Sequence, residues 1–434
     1  MSARVACRSV ERLGRSAGRL AAAVRIAART ALPVDTNPVP GEWTHVTKVD
    51  PEPEKRLPLS YPLYLRHTDA VSVGGSRDVT ARNTELTFDL LAHAPTPVFH
   101  EPSAPAHVTD DTRERAAFVA IPEVLNGDIG ALVGQLGAGI GHVRDELAPK
   151  MIDRHLPWAP ERLRSGLREF AASWLLAAAN FEAYIIQNPD SAAAREAGVG
   201  TADVLDATEA GRRAAAAERR LGSELLYVEY SGTYGGEEGA DVVAAADDAT
   251  HWSRVWYGGG IDSRDAALRM LEAGADAVVV GDAFHDVAEE EATLVERALG
   301  ELPPDADHAA VRGWVAERSV DAAERFLSTV PAVADPERRA RDYHAAAVHA
   351  GLETEAVARD LDDPSASDLR EALRRTVPGE GALSAVGDRG RAYAYEVALA
   401  GLAARTGVDA GSLAVEHLAV DARPGAVRES EARR

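Results

Sequence analysis

Three stretches in the second half of the chain each run from a short apolar segment straight into glycine. They are Leu226-Tyr-Val-Glu-Tyr-Ser-Gly-Thr-Tyr-Gly235, Val255-Trp-Tyr-Gly-Gly-Gly-Ile261 and Ala277-Val-Val-Val-Gly-Asp282. Each reads as a buried strand ending in a loop whose backbone N–H groups can approach an anion, because no Cβ intrudes. A phosphate seated there also meets the N-terminus of the following helix. Strand, glycine loop and helix in immediate succession constrain the chain to parallel strands joined by helical crossovers. In a barrel of such strands, the loops after the seventh and eighth are a common phosphate site.

The same alternation begins at Trp43 and predicts eight strands: 44–49, 69–74, 97–101, 117–125, 181–187, 224–230, 254–258 and 276–281. Most are short apolar runs, as parallel strands buried on both faces must be. Helices are predicted at 79–93, 160–178, 201–221, 239–252, 263–273 and 283–300. Only Glu101-Pro-Ser-Ala-Pro-Ala and a short charged piece separate the third strand from the fourth, so a full third helix is missing or modified. The fourth connection, 126–180, is the longest. The pattern is that of an α/β chain forming a (β/α)₈ barrel over residues 41–302. From 305 to 434 the sequence is Ala-, Arg- and Glu-rich at helical spacing, read as a separate helical domain. A barrel ending near Leu302 is therefore expected to stand alone.

The chain carries 69 acidic against 47 basic residues, a formal net charge of −22, which argues against nucleic acid as a partner. Its only lysines are Lys48, Lys55 and Lys150. An acidic, lysine-poor surface suits solubility in high salt and points to a halophilic source. Cys7 is the only cysteine, which points to a reducing cytoplasm. Residues 1–40 form a basic extension in which Arg4, Arg8, Arg12, Arg15 and Arg19 make one helical stripe. This reads as a basic helix on an anionic membrane surface, or as a disordered tail behind an upstream start.

Six motifs in order carry a resemblance. They are His45-Val-Thr-Lys-Val-Asp-Pro51, Asp69-Ala-Val-Ser-Val-Gly-Gly-Ser76, Val124-Leu-Asn126, Tyr184-Ile-Ile-Gln-Asn-Pro-Asp-Ser191, Tyr227-Val-Glu-Tyr-Ser-Gly-Thr-Tyr-Gly235 and Tyr257-Gly-Gly-Gly-Ile261. Together they resemble the geranylgeranylglyceryl phosphate synthase family, with its bacterial heptaprenylglyceryl phosphate synthase relatives. The resemblance implies a Mg²⁺-dependent prenyltransferase on a barrel with a replaced third helix. Such an enzyme joins sn-glycerol 1-phosphate to a polyprenyl diphosphate, by default geranylgeranyl diphosphate, and makes the first ether bond of archaeal membrane lipids. It also implies self-association.

By the same resemblance, Asp50 and Ser76 are the metal-side ligands, and Lys48 contacts the glycerol phosphate. Tyr227 and Glu229 hold the glycerol hydroxyls, and Glu229 is a candidate to accept a proton. Val228, Tyr230, Ser231, Gly232, Gly259, Gly260, Gly281 and Asp282 complete the substrate site, largely through backbone N–H groups. Physical chemistry agrees with several of these roles. Lys48 and Asp50 are two apart and share a strand face, as do Tyr227 and Glu229. A hard carboxylate suits Mg²⁺. Asp282 is the awkward member, because a carboxylate beside a phosphate is unfavourable unless it points away. Tyr184, Tyr230, Trp158 and Trp174 are candidates to line a groove for the prenyl chain. Other readings stay open at this point: Ser76 as a helix cap, Glu229 as a buried partner of an arginine, and the glycines as packing turns. So do another phosphate-binding barrel enzyme, flavin-dependent or a sugar-phosphate isomerase, and a non-enzymatic membrane-associated scaffold.

Overall fold

The computed structural model of the chain describes residues 35–359 except 53, 76, 93, 129 and 131–134, with isolated positions at 24, 26, 27, 29, 30, 365, 368 and 371. Along the chain it runs β1 His45–Val49, α1 Tyr61–Leu65, β2 Ala70–Val73, α2 Ala81–Leu91, β3 Val98–His100, α3 Asp110–Arg115, β4 Ala120–Val124, α4 Gln135–His142, α5 Ala148–His155 and α6 Glu161–Ala178. It continues with β5 Asn180–Ile186, α7 Ala192–Ala197, α8 Ala207–Ala216, β6 Leu225–Glu229, α9 Gly236–Ala249, β7 Arg254–Gly258, α10 Arg264–Glu272, β8 Ala277–Val280 and α11 Asp282–Glu301. Three helices follow, α12 His308–Ala316, α13 Asp321–Ser328 and α14 Pro336–Arg359. The sequence expectation named all eight strands in the right places.

The strands form one parallel sheet in the order β3-β2-β1-β8-β7-β6-β5-β4. The sheet curls almost shut. Between its two edges, among the described residues, run only the Ala117 N–H to Val98 carbonyl bond, 2.8 Å, and the His100 N–H to Phe118 carbonyl bond, 3.1 Å. Alternation along each strand sorts side chains into two cores. Inside the barrel lie Val46, Phe99, Tyr184, Tyr227, Trp256 and Val279, with Trp43 stacked against Phe99 and Phe118 at the lower end. Outside, Val49, Val71, Ile185, Val228 and Val278 pack under the helices.

The connection between β3 and β4 is short, as expected. It holds a 3₁₀ turn at Pro105–His107 and α3, which has six residues. Thr109 caps α3 by accepting from the Thr112 N–H, with the reciprocal bond completing a capping box. No full crossover helix covers that edge.

Helices α12 to α14 share the barrel's outer core. Phe326 on α13 lies 4.9 Å from Phe284 and 6.0 Å from Tyr64, ring to ring, and Tyr343 on α14 lies 5.1 Å from Tyr64. The Glu290 carboxylate on α11 accepts from the Ala322 and Ala323 N–H groups, capping the start of α13. At the start of β1, His45 is sandwiched between the Thr68 and Thr329 hydroxyls at 3.0 Å each, and burial holds its imidazole down to about 4. The described part of the segment after residue 305 is thus packed on the barrel rather than standing apart. The segment's predicted helices beyond 360 lie outside the described residues.

The basic stripe at Arg4–Arg19 also lies outside them. Arg29 pairs with Glu224 and sits over the Trp252 ring at 5.5 Å, and the Asn37 amide donates to the Glu224 and Trp252 carbonyls at 2.7 and 2.8 Å. The segment leading into β1 is therefore tied to the lower ends of β6 and β7. Among the described residues no helix is long and apolar enough to cross a membrane.

Truncating Phe326 in the full chain should test the shared core. It is fully buried, so Phe326→Ala should cost about 3–5 kcal/mol, read as a lower denaturant midpoint in guanidinium. A separate helical unit would instead leave the barrel's own transition unmoved.

Candidate active site

The upper rim of the barrel gathers charge where the strands end. Lys48 near the end of β1 pairs with Glu101 just beyond β3, Nζ to Oε1, at 2.7 Å. Glu101 also accepts from the Ser72 hydroxyl on β2 at 2.8 Å and from the Tyr184 hydroxyl on β5. Four strands are thus tied through one carboxylate. Burial pushes Glu101 up, but the Lys48 ammonium and the three hydrogen bonds outweigh it and hold it below the usual carboxylate range. Burial works against the Lys48 charge as well, yet Glu101, Tyr227, Glu229 and Asp50 around it push its value well above the ordinary one.

Tyr227 and Glu229 point into the same space from β6. The Tyr227 ring stacks on Tyr184 at 4.7 Å. Its hydroxyl occupies the notch left by Gly258, where a Cβ would stand 1.8 Å away. Glu229 accepts from the Ser231 hydroxyl through Oε1, while Oε2 is buried with no partner among the described residues. Burial raises the Glu229 carboxyl, partly opposed by Lys48 and the Ser231 bond.

The three glycine loops lie side by side, because β6, β7 and β8 are neighbours and β8 abuts β1. Gly232, Gly259 and Gly260 adopt φ of 79°, 146° and 55°, a region that favours glycine. A Cβ on Gly259 would stand 2.4 Å from that of Tyr230, and one on Gly260 2.5 Å from the Tyr234 nitrogen, so the β6 and β7 loops interlock. Gly281 faces the Lys48 side chain and opens α11, a helix of 20 residues whose first N–H groups point at the rim. Asp282 is neutralised by an ion pair with Lys55. That pairing offsets the charge of a carboxylate at this place.

Asp50 is held by its backbone. Its N–H donates to His285 Nε2 at 3.2 Å, and His285 Nδ1 donates to the Arg56 carbonyl at 3.0 Å. These two bonds define one neutral tautomer, and burial, the largest influence, keeps the ring neutral by lowering it to about 4. The Asp50 side chain makes no hydrogen bond or ion pair among the described residues. Burial pushes it up to about 6, against the pull of Lys48 and Lys55. No cluster of three or more His, Cys, Asp or Glu residues stands ready for a metal among the described residues. One free carboxylate fits a Mg²⁺ that keeps most of its shell from water and a phosphorylated substrate. Ser76 lies outside the described residues.

From Lys48, Glu101 and Glu229 a groove of about 340 Å³ runs out over the open edge between β3 and β4. Val108, Phe118, Ile121 and Phe181 form its floor, and Ile140, Leu147, Trp174 and Leu175 from the long fourth connection form its far wall. Tyr184 and Trp174 line it as expected. Trp158 and Tyr230 do not: Trp158 is 77% exposed away from it, and Tyr230 stacks on Tyr257 beneath the β6 loop. The Val228 side chain is turned into the outer core by the strand's alternation, so neither Val228 nor Tyr230 offers its side chain to the rim.

Two carboxylates were missed by sequence reasoning. Glu101 was readable in principle, since a charge at the C-terminal end of a barrel strand signals a site. Glu182 on β5 is fully buried inside the barrel with both oxygens lacking partners among the described residues. Burial, reinforced by Glu101 and Glu229, pushes it well above the ordinary range, so it is held protonated.

A rim of glycine loops beside a lysine, opening onto a long apolar groove, is the layout of a barrel enzyme with its site at the strands' C-terminal ends. The description "PcrB family" matches residues 40–299, and the chain belongs to that family. It is 36% identical to the geranylgeranylglyceryl phosphate synthase of Halobacterium salinarum over 247 residues, covering 56% of this chain and 89% of that protein. It is 34% identical to the same-named protein of Haloquadratum walsbyi over 246 residues, covering 56% and 88%. A Methanoculleus marisnigri protein of that name is 32% identical over 247 residues, covering 56% and 91%.

Glu182 sets a pH dependence of stability. Its folded value is raised, so the stability it confers is complete below the unfolded value and is lost as pH climbs toward the folded one. Glu182→Gln should therefore flatten the decline of the melting temperature above the ordinary carboxylate range. Thermal melts of both proteins between about pH 5 and 9 check this, and parallel curves would count against it.

Proposed function

We propose that this chain is a prenyltransferase that joins the 3-hydroxyl of sn-glycerol 1-phosphate to a polyprenyl diphosphate, geranylgeranyl diphosphate by preference, releasing diphosphate. The product carries the first ether bond of archaeal-type membrane lipids. The observation that carries this reading is the continuity of the site: a glycine-lined, lysine-bearing rim opens without a break onto an apolar groove of about 340 Å³. The names of the relatives support the same reaction. A sugar-phosphate isomerase or a flavin enzyme needs no such groove, and a scaffold needs no buried Glu229 with one oxygen lacking a partner among the described residues.

The phosphate of glycerol 1-phosphate would lie against the loop N–H groups of Gly232, Gly259, Gly260 and Gly281, near Lys48 and the positive end of α11. Tyr227 and Glu229 then hold the glycerol hydroxyls, with the free Oε2 of Glu229 facing the 3-hydroxyl. The hydroxyl oxygen attacks the allylic C1, the bond from C1 to the diphosphate oxygen breaks, and the hydroxyl proton passes to Glu229. A raised carboxyl makes a stronger base once ionised. Asp50, with Ser76, would hold a Mg²⁺ whose chemistry is to neutralise the leaving diphosphate. Catalysis by the chain itself is mostly positioning.

Membrane-derived substrate suits the groove's surroundings. Ile140, Phe170 and Trp174 are 40%, 68% and 51% exposed on α4 and α6, and they support peripheral contact with a lipid surface beside the groove. Self-association is part of the same proposal.

With Mg²⁺ and high salt, the protein should convert both substrates to the ether phosphate, detected by mass spectrometry, and EDTA should stop it. Folded protein that forms no product would sink the assignment. Glu229→Gln separates orientation from proton transfer. Because the electrophile has carbocation character, the base is less demanding, and the single-turnover rate at saturating substrates should fall about 10²-fold, near the low end for general-base loss. A rate within twofold or so of wild type would leave Glu229 an orienting group only.

A further inference from the structure

Lys48 stands where the rim meets the groove, yet it is already engaged. Its Nζ lies 2.7 Å from Glu101 Oε1, and Glu101 is only 7% exposed. A lysine has four rotatable side-chain bonds and three donors that swing freely, so on its own it presents a diffuse charge. Here the acceptor is fixed from three directions: Ser72 bonds Glu101 Oε2 at 2.8 Å, and the Tyr184 hydroxyl bonds Oε1 alongside Lys48. Glu101 also lines the groove at the point where it meets the rim. The pair therefore sits where a phosphorylated substrate and an apolar one would meet.

Resting on the reading above, we propose that Glu101 is a positioning residue that acts as the internal counter-ion of Lys48. It fixes the ammonium in one place and, in doing so, competes with the substrate phosphate for its charge. Two effects follow, and they run in opposite senses. Holding Lys48 lowers the entropy of the reactive arrangement, which favours turnover. Neutralising Lys48 before substrate arrives weakens phosphate binding, because the ion pair gives up part of its attraction when a second anion approaches. Tyr184, bonded to the same oxygen and stacked on Tyr227 at 4.7 Å, carries the fixation on to the glycerol-holding tyrosine.

The test is a cycle in the full chain with Glu101→Gln, Lys48→Met and the double variant. It measures the dissociation constant of sn-glycerol 1-phosphate by calorimetry and kcat at saturating substrates. Glu101→Gln keeps the shape and removes the charge. It should bind glycerol 1-phosphate about three- to tenfold more tightly while kcat falls about 10- to 100-fold. In the Lys48→Met background the same change should leave affinity unmoved, since the effect passes through the ammonium. A merely structural Glu101 would give a lower melting temperature with unchanged or weaker binding, and that result overturns the proposal. So does tighter binding that persists without Lys48. Should Glu101→Gln fail to fold, Ser72→Ala removes one of the three donors. It must shift affinity and kcat in the same two directions, and a folded Ser72→Ala with wild-type constants overturns the proposal. Wild-type protein that does not bind glycerol 1-phosphate at all sinks the functional reading together with this one. Wild-type binding with Glu101→Gln unchanged sinks this one alone.

Discussion

The interior of the barrel mouth holds one ammonium and several carboxyls, and the structure depends on how their charges are kept compatible. Lys48 interacts with Glu101, Glu182, Glu229 and Asp50. Were all four acids ionised, the mouth would repel both phosphorylated substrates and would be costly to bury. Burial resolves the conflict by sorting them. Glu182, with no partner among the described residues, is driven to its neutral form, and Glu229 and Asp50 are pushed the same way. Glu101, which accepts three hydrogen bonds, is instead held below the ordinary carboxylate range, and it is the one that Lys48 touches. Burial thus leaves three of the four acids less readily ionised than free carboxylates. An arriving phosphate then meets backbone dipoles rather than a wall of carboxylates.

The same logic governs the far side of the rim. Asp282 would spoil the N-terminus of α11 as a phosphate seat, but Lys55 neutralises it from the loop that follows β1. His285, one turn further along α11, reaches that loop at both ends, accepting from Asp50 and donating to Arg56. The first strand's loop and the last strand's helix are thus locked together, and the lock places the Asp50 carboxylate where nothing in the described protein satisfies it. A free carboxylate beside a phosphate seat is a costly arrangement in the resting chain, which is why it reads as a ligand in waiting.

Much of this was legible from residues alone. Short apolar runs, three of them ending in glycine, mark strands buried on both faces, so all eight strands and the three glycine loops were found. Pairings two residues apart on one strand, Lys48 with Asp50 and Tyr227 with Glu229, follow from the pleat. Val228 and Tyr230 sit within the same stretch with their side chains turned away from the rim, as the pleat requires. Glu101 went unread because its three partners come from β1, β2 and β5, which no spacing in the sequence connects. The helical segment after residue 305 shows an apolar stripe, and a stripe says that a face is covered without saying by what. The covering surface is Tyr64, Phe284 and the barrel's own first helix.

The groove shows why the short third connection and the long fourth one belong together. A regular barrel closes every strand pair with a helix laid across it. Here α3 has six residues and leaves the edge between β3 and β4 exposed, held by little more than two backbone bonds. Open apolar floor at that edge would be a liability by itself. The fourth connection supplies α4, α5 and α6, with α5 and α6 joined through their own small core of Ala148, Ile152, Ala171 and Ala172. Because those helices are braced on each other, they can stand off from the strands and form a wall instead of collapsing onto the gap. What remains between wall and floor is a largely apolar trough with Lys48, Glu101 and Glu229 at its rim end. An apolar chain entering from the surface has one direction to run and one place for its charged head to stop.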